Sequence, residues 1–324
     1  MNRLFTHLSI VLFLSLFATV AYGQQEPQYT QFMHTKQLIN PAYVGSRGNT
    51  CFKGLYRNQW LGFKGAPVSQ VVTFNMPFID PRVGFGVNLQ HYEVGVIENW
   101  EADLAYSYNL VDANNLSVRV GVMGSIRQFG LDFSDPDLFI RNINDESITR
   151  GEAYSTVKGD VGAGLYVSYE GYYFGVSVPN ILSNVIGRNK EEPITAQENA
   201  HFYAMAGGLI PINDSKLSVF PNVLLTYVQN APWELGINLS LMYDNKFTFG
   251  GSYRLSSENS DSIDFLFHFQ ATNNFGFGLS YDYPLFEIRD HTSGTIEVMM
   301  DYCFGSGANG NKDGKNLSNP RFFF

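Results

Sequence analysis

The side chains able to do chemistry are sparse and scattered. Five histidines lie beyond residue 23, His34, His91, His201, His268 and His291, and none stands in the HExxH, paired-His or Cys-His spacing that holds zinc. An acidic group, Asp132, Asp135 and Asp137 followed by Asp145 and Glu146, misses the ligand spacing of an EF-hand and reads as a solvated loop. There is no GxSxG elbow, no P-loop and no dinucleotide fingerprint. Gly84-Phe85-Gly86 and Gly276-Phe277-Gly278 sit in alternating runs, as strand glycines do, and not before a helix where they would cradle phosphate. Nothing here argues for an enzyme, a metal or a cofactor.

The elements that would position any site are strands. From Trp233, the odd positions Trp233, Leu235, Ile237, Leu239, Leu241 and Tyr243 are apolar, while Glu234, Gly236, Asn238, Ser240, Met242 and Asp244 are mostly polar or small. After Asp244-Asn245-Lys246 the alternation resumes with Phe247, Phe249, Gly251, Tyr253 and Leu255 on one face, so residues 232–255 predict a β-hairpin. Each arm has the ten or so residues of a tilted bilayer-spanning strand. A soluble sheet would look similar locally, so closure of the pattern decides. Strands are expected near residues 51–60, 68–78, 82–93, 98–111, 115–130, 159–170, 172–180, 199–212, 216–229, 233–244, 246–255, 262–270, 274–285 and 294–304. Fourteen is an even number, and every second link is short, whereas the long links 131–158 and 181–198 fall on the same side. That is the pattern of an all-β, transmembrane antiparallel barrel with tight periplasmic turns and long outer loops, and not of a β-sandwich.

Only 16% of the 324 residues are charged, against roughly 25% in soluble domains. Residues 1–23 read as a cleaved signal peptide, with Arg3, an apolar run from Leu8 to Val20, and small Ala21 and Gly23 before Gln24. Without Arg3, twenty basic residues face thirty acidic ones, which excludes duplex nucleic acid as a natural partner. No later stretch is apolar enough for a spanning helix, so a membrane location means a closed barrel in the outer membrane of a Gram-negative cell, with lipid around it. The expected organisation is a periplasmic N-terminal segment over 24–50, the barrel over 51–304 and a polar C-terminal tail over 305–324.

Alternation then predicts which charges face inward: Glu101, Asp103, Arg119, Arg127, Asp160, Glu234, Arg254, Asp264 and His268. Two readings stay open, mixed charges pairing across a water-filled or plugged interior, and a solute-selectivity ring. The inward glycines suit a wall approached by other material, either the N-terminal segment or the tail. Cys51 opens the first strand and Cys303 nearly closes the last, and barrel closure makes these strands neighbours. A disulfide across the seam is expected if strand stagger allows it; the alternative is two buried thiols.

Several segments carry a family resemblance. They are Gln28-Tyr29-Thr30-Gln31-Phe32, Asn40-Pro41-Ala42-Tyr43-Val44-Gly45, Tyr56-Arg57-Asn58-Gln59-Trp60 with Gly65-Ala66-Pro67, Ile126-Arg127-Gln128-Phe129, Gly162-Ala163-Gly164-Leu165, Ser177-Val178-Pro179-Asn180 and the terminal Asn319-Pro320-Arg321-Phe322-Phe323-Phe324. Together they resemble the PorP/SprF family of type IX secretion system outer-membrane proteins. The resemblance implies a non-enzymatic accessory of protein export or gliding in Bacteroidota-type bacteria, working with the secretion machinery and in some members with a large secreted adhesin. It makes Asn40, Pro41, Tyr43, Arg57, Gln59 and Trp60 candidate partner contacts, although Arg57 pairing in the lumen and Trp60 in an aromatic girdle are the competing placements. The alternative function is a passive porin or solute-transport channel.

Overall fold

The computed structural model describes residues 26–133, 153–182, 185–186, 196–212, 215–229, 231–257 and 260–304. The expected signal peptide, the tail 305–324 and the acidic residues Asp135, Asp137, Asp145 and Glu146 lie outside the described residues.

Fourteen antiparallel strands form one closed sheet. They are β1 (Thr50–Asn58), β2 (Val68–Pro77), β3 (Val83–Val94), β4 (Ile97–Ala113), β5 (Leu116–Asp132), β6 (Ala153–Tyr169), β7 (Tyr172–Val178), β8 (His201–Gly208), β9 (Leu217–Val228), β10 (Glu234–Tyr243), β11 (Phe247–Ser256), β12 (Ser260–Gln270), β13 (Phe275–Pro284) and β14 (Thr295–Phe304). Each strand pairs with its chain neighbours, and β1 closes the ring on β14 in a register that sets Cys51 opposite Cys303 and Arg57 opposite Glu297. Every strand has a neighbour on both sides, which is what lets a sheet cross lipid, although residues 153–162 of β6 extend past the end of β7 and, among the described residues, pair only with β5.

Period-two alternation fixes the faces. Leu239 is 58% exposed beside Asn238 at 1%, and Ile126 is 62% exposed beside Arg127 at 7%. The apolar set faces out around the whole ring and the polar set faces in, the reverse of a soluble sandwich. Tight turns gather at one end. Asn114-Asn115 and Glu170-Gly171 link their strands with two residues, both at positive φ, the geometry of a hairpin turn whose twist matches its strands. The two longest links, before β6 and before β8, lie at the other end, together with the two-residue turn Gly95-Val96 between β3 and β4.

Two consecutive strands, β6 and β7, depart from expectation at the ends that lie in the long-loop half. β6 begins at Ala153, earlier than alternation indicated, and β7 stops at Val178. Pro179 has no N–H to give the ladder, and the chain there turns inward so that Asn180 is buried and Ile181 N bonds Val161 O at 2.9 Å.

The larger correction concerns the N-terminal segment. Residues 26–49 do not form a separate periplasmic region; they run through the barrel, from Glu26 in the long-loop half to Asn49 at the short-turn end. The segment carries one helical turn, Lys36–Ile39, and a 3-10 turn, Pro41–Tyr43, and nearly all of it is buried. Its side chains are polar enough for water, and the same polarity suits a hydrogen-bonding lumen, so composition alone does not separate the two locations.

Candidate functional site

The interior is a seated plug with a vestibule above it. At the short-turn end the wall supplies glycines where the segment needs room. A Cβ at Gly121 would lie 2.5 Å from the Ala42 Cα, and one at Gly164 would collide with the Asn40 side chain. Into that space Asn40 places an amide that works in both directions. Its Oδ1 caps the 3-10 turn by accepting from Ala42 N at 2.9 Å, and its Nδ2 donates to Leu165 O on β6 at 2.9 Å. Gln37 Nε2 donates to Phe74 O and Asn88 Oδ1, each at 2.8 Å, while Ser107 Oγ donates to Val44 O at 2.6 Å. The irregular backbone thus finds partners on the wall, as a buried segment must.

Lys36 sits among three tyrosines, with Nζ 3.4 Å from the Tyr173 ring centre and farther from Tyr43 and Tyr166. This is cation–π geometry inside a protein rather than at a surface. Below it, His34 stacks on His268 at 4.9 Å between ring centres, and Asp301 lies 3.1 Å from His268 Nε2. Lys53 donates to His34 O.

The vestibule occupies the long-loop half, a cavity of about 530 Å³ floored by the first residues of the segment. Two ionic clusters frame it. In one, Arg127 meets Glu26 and Glu101, each at 2.7 Å, and Glu198; Tyr203 Oη donates to Glu26 at 3.2 Å. In the other, Arg57 meets Asp282 at 2.8 Å and Glu297 at 3.2 Å, and Arg254 stands 3.6 Å from Asp264. Glu297 also accepts the Thr30 and Gln31 amides at 3.0 and 2.9 Å, tying the segment to β14.

All nine charged residues expected in the lumen face inward. Glu101, Arg127, Glu234, Arg254 and Asp264 line the vestibule. Asp103 accepts from Asn88 Nδ2 at 3.0 Å, and Arg119 donates to Pro81 O and Arg82 O near the short-turn end. Asp160 accepts the Ile181 and Leu182 amides, and His268 pairs with Asp301. Their partners are one another, the segment, other wall side chains and, for Arg119 and Asp160, backbone groups of the links between strands, so they do not form a ring around an open bore. Cys51 and Cys303 are joined as a disulfide across the β1–β14 seam, with Cα atoms 4.0 Å apart.

Four expected partner contacts lie inside the barrel and not on its outer surface. Asn40, Pro41 and Tyr43 are inside the barrel because the segment is, and Arg57 is 2% exposed because inward parity delivers it to Asp282 and Glu297. Gln59 and Trp60 stand at the vestibule, where the Trp60 amide donates to Thr295 Oγ1 at 3.2 Å. Glu26, Lys36 and Glu198 escaped sequence reasoning, since all three lie outside the barrel strands, where period-two alternation carries no information about direction.

Comparison with known proteins follows the same lines. Residues 21–302 match the family model described as "Type IX secretion system membrane protein PorP/SprF". No curated protein matches in sequence. Among solved structures, the Pseudomonas putida toluene transporter TodX is similar at 11% identity and a TM-score of 0.51, over 87% of this chain and 95% of that one. The Acinetobacter baumannii outer membrane protein Omp33 is similar at 9% identity and a TM-score of 0.46, over 79% and 98%. At such identities TodX shows a shared outer-membrane barrel fold and nothing of function.

Proposed function

The chain belongs to the PorP/SprF family of type IX secretion system membrane proteins, and from that premise we propose that it anchors or assists exported surface proteins, a large adhesin among them. It is an outer-membrane barrel of a Gram-negative cell, and its family and fold are those of a non-enzymatic secretion or transport component. In this reading the long-loop end faces outward and the short turns face the periplasm. The vestibule then opens towards the exported partner. The single observation that carries the reading is the family match over most of the chain.

The passive porin is weakened by the seated segment. Residues 34–49 fill the short-turn half with hydrogen-bonded backbone and leave the vestibule closed below. Deleting the gene and comparing surface and medium proteins by mass spectrometry tests the reading. Loss of one large adhesin points to dedicated service, and loss of many exported proteins to general service. An unchanged exported set with reduced small-solute uptake overturns it in favour of the channel.

A further inference from the structure

The vestibule is chemically one-sided. Seven carboxylate side chains and three arginines line it. Each guanidinium is already committed to at least two carboxylates: Arg127 to Glu26, Glu101 and Glu198, Arg57 to Asp282 and Glu297, and Arg254 to Asp264 and Asp282. The acceptors are not used up. Glu198, 6% exposed, keeps a carboxylate oxygen with no hydrogen-bond partner among the described residues, and the carboxylates of Glu234 and Asp261 line the cavity with it. An entering anion would meet cations already neutralised and an excess of negative charge. An entering cation would meet carboxylates in excess of their cations in a partly desolvated cleft, where a carboxylate gains most from a partner. Aromatic side chains reinforce the preference. Trp60, Tyr92 and Phe129 line the same cavity, and ring faces attract ammonium and guanidinium groups.

We propose that the vestibule binds a lysine or arginine side chain presented by a polypeptide segment of the exported partner. This rests on the secretion reading for the identity of the partner, while the cationic chemistry rests on the cavity alone. A volume of about 530 Å³ lies within the range that accepts drug-sized ligands and holds a few residues of peptide. The plug beneath makes it a seat and not a passage, so a segment enters and stays.

Calorimetric titration of the full-length barrel in detergent tests this. The probes are acetyl-Gly-Arg-Gly-Arg-Gly-amide and its counterpart with both arginines replaced by glutamine. The arginine peptide is expected to bind saturably, at least about tenfold more tightly than the glutamine peptide, and less tightly as salt rises. Glu198→Gln should weaken it about tenfold. Asp261→Asn, at the half-buried rim, should also weaken it and removes no partner of the plug. Heat-modifiable migration in gels checks that both variants remain closed barrels. Equal affinity for the two peptides, or arginine binding that neither variant shifts, overturns the site. A deletion strain that loses surface proteins while the purified barrel ignores arginine leaves the secretion reading standing and removes this one. Arginine binding alongside an unchanged exported set does the opposite.

Discussion

Arg127 is the residue on which most of the vestibule depends. It reaches β4 through Glu101, the plug through Glu26 and the link before β8 through Glu198, so one guanidinium ties three stretches that share no hydrogen-bond ladder. Charge-assisted, multidentate pairing of this kind suits arginine's planar fork and not lysine's point charge. Replacing it with glutamine leaves three carboxylates without their cation. The loss should be about 2 to 3 kcal/mol, below that of a fully enclosed pair because the Glu26 side chain is 24% exposed. Guanidinium unfolding in detergent measures it, with lysine at the same position restoring only part. An unchanged midpoint would mean that these ion pairs contribute nothing to the stability of the barrel.

At the scale of elements, the plug is held by shape as much as by charge. Gly121 and Gly164 present bare backbone to the segment at the level of its Asn40-Pro41-Ala42 turn. Gly121→Val puts side-chain atoms where the Ala42 backbone runs, and rigid strands on both sides leave the wall little room to yield. The expected result is a barrel that still migrates as folded but whose N-terminal segment is cut by added protease, where the native one is protected. Continued protection would show that the wall relaxes instead.

The strands themselves were legible because alternation is local: the hairpin at Leu239 and Phe249, the fourteen-strand count and the inward parity of Arg127 and Asp264 all follow from it. The path of the plug was not legible. Gln31, Gln37 and Asn40 would be equally satisfied by water, and only the inward glycines hinted that backbone passes close by. Parity also delivered Cys51 and Cys303 to neighbouring strands, but their stagger, which decides bonding, is a property of the closed ring.

At the scale of the whole molecule, fourteen strands enclose more space than their own side chains fill. Barrels of about eight strands pack their interiors with side chains, whereas those of sixteen to eighteen leave an aqueous channel. This barrel lies between, and the segment 26–49 takes up the difference. Its contacts are mostly polar, Gln37 to the β2 and β3 carbonyl and amide groups and Thr30 to Asp282, so the wall beneath it is hydrophilic and would hold water if uncovered. A chain lacking residues 26–49 should therefore fold, since each strand keeps both its neighbours and the Cys51–Cys303 bond still closes the seam. It should also conduct ions across a planar bilayer, where the native chain is silent. Conductance by the native chain would mean that the plug leaves its seat unaided. A silent deletion variant would mean that inward side chains such as Arg119, Lys53 and Asp301 collapse across the lumen once the segment is gone. Conduction by the deletion variant alone identifies the segment as the element that keeps this barrel closed below the vestibule.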